Sequence, residues 1–168
     1  ALDVILAFVL FGVALDIHLF ADPERPRFCD INTPWRADLR WGGDNTDAYY
    51  AFVPIDPERT YRVHGTRGDS VYFSFTVYNE PIPGQWSDRV VGIIGDADLP
   101  LDADLPLDDG GGFEFLVGRS RPDGYDGPFL EIDGGAAAAV TRDYQLDPTT
   151  GRRVRWEIEA LDPPGPPG

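Results

Sequence analysis

WGGDNTDAYYAFVPIDPERTYRVHGTRGDSVYFSFTVY, residues 41–78, decides the fold class. Three runs inside it, Tyr49 to Ile55, Thr60 to His64 and Ser70 to Tyr78, are rich in β-branched and aromatic residues, and the clusters DPER and GTRGD between them have turn composition. The arrangement predicts an antiparallel meander. In the third run Val71, Phe73, Phe75 and Val77 share one face, while Tyr72, Ser74, Thr76 and Tyr78 share the other. That is the period-two pattern of a half-buried strand, and its apolar face needs a second layer to cover it.

Downstream the same chemistry continues. Arg89 to Ile94, Gly112 to Val117, Phe129 to Ile132 and Arg153 to Leu161 read as further strands, the last with Val154, Trp156, Ile158 and Ala160 inward. Ala137 to Leu146 contains helix-forming alanines, yet Val140, Arg142, Tyr144 and Leu146 alternate with Thr141, Asp143 and Gln145, which favours strand. Cys29 to Arg40 reads as irregular. About eight strands joined by short turns predict a mainly β domain over residues 21–161, an antiparallel β-sandwich or jelly roll. DPPGPPG, residues 162–168, reads as a Pro/Gly-rich tail or linker.

Upstream, ALDVILAFVLFGVALDIHLF has neither the basic start nor the cleavage site of a signal peptide. Asp3 and Asp16 leave only twelve residues between them, too few to span a bilayer. The favoured reading is an apolar N-terminal helix over 1–20 packed on the domain, and membrane association is not expected. ADPERPRF ends that helix through its two prolines.

Composition narrows the partners. The 168 residues carry a formal charge of −15, and all 14 basic residues are arginine. A surface of that sign repels phosphate backbones and anionic membranes, so nucleic acid is excluded as a partner. Cys29 is the only cysteine and cannot pair within the chain; an idle thiol is the favoured reading, and the redox compartment is left open, with the cytoplasm slightly favoured. Asp96 to Leu101, DADLPL, is duplicated unchanged as Asp102 to Leu107. Prolines and leucines occupy the positions where a calcium loop needs ligands and its glycine, so the repeat reads as a solvated acidic loop and no metal site is expected.

Several of these stretches together resemble a known family. The 41–78 stretch with its GGDN and DP-R-TYR motifs, GGFEFLVG, the block from Ala139 to Tyr144 and the closing WEIE are similar to the bacterial family known as domain of unknown function 1214. The likeness extends upstream through ADPERPRF and the apolar segment. It implies a β-rich jelly roll, preceded by helical sequence and followed after a proline-rich linker by a second, related half. This chain would then be the first half. The resemblance implies no reaction, and the helix, nearly devoid of charged residues, and the duplicated DADLPL depart from the family pattern.

Candidate chemistry gathers at two places. Asp44, Asn45 and Asp47 sit on a glycine-opened turn, flanked by Trp41 and the pair Tyr49 and Tyr50, as a cluster that orients hydroxyls and stacks a flat ligand would. The simpler reading is a turn whose side chains satisfy its own backbone. Arg142 and Tyr144 share one face of a late strand, suited to a carboxylate ligand or to an ion pair with an internal aspartate, the latter favoured. His18 and His64 lack a nucleophile or carboxylate at a diagnostic spacing and read as structural. No G-x-S-x-G, H-E-x-x-H or phosphate-binding glycine loop is present, and no cofactor is expected. The leading expectation is a module binding a small polar or carbohydrate-like ligand through Trp41, Asp44, Asn45, Asp47, Tyr49, Arg142 and Tyr144, or packing as one half of a larger protein. A hydrolase or lyase using Asp44 or Asp47 with Arg142 and Tyr144 is the alternative. A purely structural domain, assembling with a second half or a second copy through strand edges and the apolar helix, is the third.

Overall fold

The computed structural model of the chain describes residues 22–34, 45–82, 84–100 and 111–162. The expected helix at 1–20, the tail beyond Asp162 and the second copy of DADLPL lie outside the described residues. Nine strands occupy the described part: β1 (Cys29–Asn32), β2 (Ala48–Pro54), β3 (Tyr61–Thr66), β4 (Ser70–Asn79), β5 (Val90–Gly95), β6 (Gly112–Gly118), β7 (Phe129–Glu131), β8 (Ala136–Gln145) and β9 (Arg155–Ala160). They form a five-stranded sheet in the order β1-β2-β8-β4-β5 and a four-stranded sheet in the order β7-β6-β3-β9.

The apolar faces of the two sheets meet. Phe73 of β4 stacks on Phe113 of β6 with centroids 4.9 Å apart, Phe75 meets Phe115 edge-on at 5.5 Å, and Trp156 of β9 closes on Phe113 at 5.0 Å. Val53, Val63, Val77 and Val117 complete a fully buried centre. The Tyr61 hydroxyl and the Asp143 carboxyl are among the polar groups buried in the described part. The Tyr61 hydroxyl donates to the Pro23 carbonyl at 3.0 Å and accepts from the Asp56 N–H at 2.9 Å. Asp143 is 2 % exposed and accepts from the Val154 N–H at 2.8 Å and from the Gln145 amide. Desolvation holds its carboxyl above the usual range, against the pull of those donors.

Four expectations are corrected. The stretch 41–78 is not a meander: β2 and β4 lie in one sheet and β3 in the other. Ile55 and Tyr61, on either side of the DPER turn, are both buried, so the chain crosses the core between them instead of folding back beside itself. Cys29–Asn32 is a strand, not irregular; it is a short edge element with a register shift between Asp30 and Asn32, too brief to show a period. A register shift between Ser70 and Tyr72 turns Val71 outward, where it is 45 % exposed. Finally, β7 runs parallel to β6. The loop 119–128 makes this possible, tied across by Arg121, which donates to the carbonyls of Tyr125 and Gly127.

The outer face of the four-stranded sheet is charged. Arg62 bonds both Glu114 and Glu159, and His64 lies 3.9 Å from Glu157. His64 is thus one member of a solvated ladder of charges.

Candidate functional site

The outer face of the five-stranded sheet has a different character. β8 is its middle strand, paired with β2 on one side and β4 on the other. Because side chains alternate, Thr141 and Asp143 go inward while Arg142 and Tyr144 go outward. Register then sets their neighbours. Arg142 stands between Tyr50 of β2 and Ser74 of β4, and Tyr144 stands beside Tyr72.

The guanidinium of Arg142 donates from Nη1 to Thr76 Oγ1 at 2.8 Å and from Nη2 to the Tyr78 hydroxyl at 2.5 Å. It lies 5.9 Å from the ring centroids of both Tyr50 and Tyr78. Among the described residues no carboxylate pairs with it; Asp143, its sequence neighbour, points to the opposite face. Hydroxyls and rings take the place of an anion.

Beside it, three more groups interlock. Asn45 Nδ2 donates to the Tyr50 hydroxyl at 2.9 Å and to the Tyr144 hydroxyl at 3.5 Å, and the two phenols lie 3.2 Å apart. Burial and the bond with Tyr144 push the Tyr50 phenol up from its ordinary value. The Tyr144 ring packs against Tyr72 at 5.8 Å, and Tyr72 is 39 % exposed. Asn45 is anchored from the other side: its Oδ1 accepts the Asp47 N–H at 3.0 Å, a local turn that aims the amide at the phenols.

Of the seven residues singled out in the sequence, the structure brings together Asn45, Arg142 and Tyr144. Trp41 and Asp44 lie outside the described residues. Asp47 holds the turn: its carbonyl accepts the Gln145 N–H at 2.9 Å, and its exposed carboxylate takes the Thr46 hydroxyl. Tyr49 faces the other way. It is 6 % exposed, donates to the Pro148 carbonyl and lies under the Arg153 guanidinium, 4.1 Å from its ring centroid, where Arg153 pairs with Asp30. Tyr50, named only as a flank of the turn, joins the face from β2, and Tyr72, Ser74, Thr76 and Tyr78 join it from β4. The signal of those four is the shared parity of polar and aromatic residues along β4, which reads equally as a plain solvent face.

The arrangement can do some things and not others. It presents aromatic edges, hydroxyls and one cation without a described carboxylate beside them, which is the equipment of recognition. Among the described residues no three His, Cys, Asp or Glu side chains are placed to hold a metal ion, and no helix is long and apolar enough to cross a membrane.

Comparison with known proteins follows the fold. No protein-family profile and no curated protein matches the chain. Among solved structures, an uncharacterized protein from Burkholderia cenocepacia is similar over 95 % of this chain at 25 % identity, with a TM-score of 0.77. The VPA0106 protein from Vibrio parahaemolyticus is more distant, at 15 % identity over 83 % of this chain with a TM-score of 0.43. This chain spans 41 % of the first protein and 31 % of the second.

Proposed function

We propose that this chain is a β-sandwich module of jelly-roll type that recognises a small polar, carbohydrate-like ligand on the outer face of its five-stranded sheet. One observation carries the reading: Tyr50, Tyr144 and Asn45 interlock through their polar tips beside Arg142, while Tyr72 keeps its ring open to solvent. Rings of that kind stack on the apolar face of a sugar, and fixed hydroxyls sort its hydroxyl groups. The likeness to domain of unknown function 1214 accords with a jelly roll and with no particular reaction. As for catalysis, the exposed Asp47 carboxylate takes the Thr46 hydroxyl, and the hydrolase or lyase alternative has no described acid beside Arg142.

A second reading has its own support. The same face carries Phe52 and Val140, half-buried, and Ile93, 54 % exposed, and the chain spans less than half of its Burkholderia neighbour. Packing as one part of a longer protein would use that apolar strip.

Heteronuclear NMR of the chain titrated with glucose, cellobiose and galactose at millimolar concentration separates the two. The expected outcome is shifts confined to Asn45, Tyr50, Tyr72 and Tyr144, weakened in Tyr144→Phe by about 0.5–1.5 kcal/mol for the lost hydroxyl. Silence of this face toward all three sugars and toward sodium glucuronate rejects ligand recognition and leaves packing.

A further inference from the structure

Donors outnumber acceptors around Arg142. Thr76 and Tyr78 each accept from the guanidinium, so each hydroxyl keeps its own proton to give. The remaining N–H groups of Arg142 have no acceptor among the described residues. Of the two phenols at 3.2 Å, one donates to the other, and the second still holds a proton to give; the Asn45 amide gives its N–H groups to those phenols and its oxygen is already taken by Asp47, so it offers no acceptor. Beneath them Ser74, directly opposite Arg142 in the ladder and fully buried, has a hydroxyl with no partner among the described residues. A buried hydroxyl without a partner is costly, and here it lies in a row that already lacks acceptors.

We infer that this face is completed by a carboxylate, so that the ligand is an acid of the sugar type rather than a neutral sugar. The inference rests on the recognition reading above and names its ligand class. A carboxylate offers several lone-pair positions and matches the planar fork of a guanidinium with two parallel bonds. The phenol that keeps a proton to give and the Tyr78 hydroxyl stand beside it as further donors, while the buried Thr76 holds the guanidinium in place. Charge selects a monoanion. Arg142 is one cation in a chain of net charge −15, so it neutralises a monoanion in full, whereas a dianion such as a phosphate monoester keeps one charge unpaired in that negative field. Most other described arginines are spent on carboxylates of the chain, Arg59, Arg62, Arg89, Arg119, Arg152 and Arg153 among them. In so acidic a protein, an arginine whose described partners are hydroxyls is suited to an anion from outside.

The test compares sodium glucuronate with glucose, each titrated into the chain and followed by heteronuclear NMR, for the native protein, Arg142→Gln and Arg142→Lys. Glucuronate is expected to bind at the Arg142 face at least about tenfold more tightly than glucose, as a charge-assisted bidentate pair requires. Arg142→Gln is expected to erase that preference while glucose binding persists. Arg142→Lys, which keeps the charge and loses the fork, is expected to retain only part of it. Equal affinity for the two sugars at this face overturns the carboxylate inference and leaves the recognition reading standing. Absence of binding by either overturns both. A preference for glucuronate that survives in Arg142→Gln overturns the assignment of Arg142. Should Arg142→Gln melt early, the native comparison and Arg142→Lys decide.

Discussion

Burial places the Tyr61 phenol where its ionised form is strongly disfavoured. Desolvation lifts it from 10.0 to about 12, with the Asp56 charge adding and the Asp56 N–H and Arg59 opposing. A raised value in the folded chain means that the unfolded chain loses the proton first. The stabilisation is therefore complete below pH 10 and is lost as pH rises from 10 toward about 12, on the order of 2 kcal/mol over that window. Tyr61→Phe removes the ionisation and also leaves the Pro23 carbonyl and the Asp56 N–H unpaired, which costs about 1–3 kcal/mol at neutral pH. Urea unfolding of both proteins from neutral to strongly alkaline pH checks this. The native chain is expected to be the more stable at neutral pH, with the gap closing as Tyr61 ionises; a gap that stays constant rejects the assignment. Asp143 shows the same physics with a carboxyl. Its raised value means that its ionisation works against the fold as pH climbs through the carboxylate range, and the Val154 and Gln145 donors limit that loss.

At the scale of elements, β3 is an inner strand of its sheet, between β6 and β9, and Gly65 is where the backbones come closest. A Cβ there would lie 1.8 Å from the Arg155 carbonyl oxygen and 3.0 Å from the Phe113 ring. Backbone cannot yield as a flexible side chain does, so Gly65→Ala must push β9 away. The expected cost is about 1–3 kcal/mol, read as a lowered melting temperature with loss of amide protection along β9; a native-like melt would sink the idea. Strand existence was legible because a half-buried strand writes its period into its own residues, as Phe73, Phe75 and Val77 do against Ser74 and Thr76. Sheet membership was not, since nothing in Tyr61–Thr66 says that its partners are β6 and β9 and not the strands on either side of it in the chain. The site divides along the same line. Arg142 and Tyr144 were legible as one face of β8, and Asn45 as a turn residue. Tyr49 was placed with them because AYYAFVP is apolar at both parities, and only the β2–β8 register shows that Tyr50 is the one beside Arg142. Tyr72, Thr76 and Tyr78 come to the site through non-local pairing, which no local pattern records.

Charge is a property of the whole molecule. At −15 over 168 residues the folded chain holds its carboxylates closer together than the unfolded chain does, and that repulsion opposes folding. Salt acts on two opposed terms. The ion pairs Arg62–Glu159, Arg89–Asp133, Arg152–Asp69 and Arg153–Asp30 are contacts of 2.7–3.0 Å, far inside a screening length of about 10 Å at 0.1 M salt, and such solvated pairs contribute little. The uncompensated repulsion acts between charges farther apart than that length and is the part that salt removes. Screening should thus stabilise the fold: moving from low salt to about 0.1 M is expected to raise the melting temperature by several degrees, with most of the gain complete once the screening length falls to about 10 Å. Calorimetry in sodium chloride at fixed pH checks it, and potassium chloride should reproduce the curve, because screening depends on ionic strength and not on the cation. A melting temperature that falls with salt would mean that the surface pairs outweigh the net charge. The acidic surface would then have to be read as a lattice of pairs instead of a field. The same screening bears on Arg142, for an anion approaching a chain of this charge is repelled at long range and attracted only at contact, so salt should speed its arrival rather than slow it.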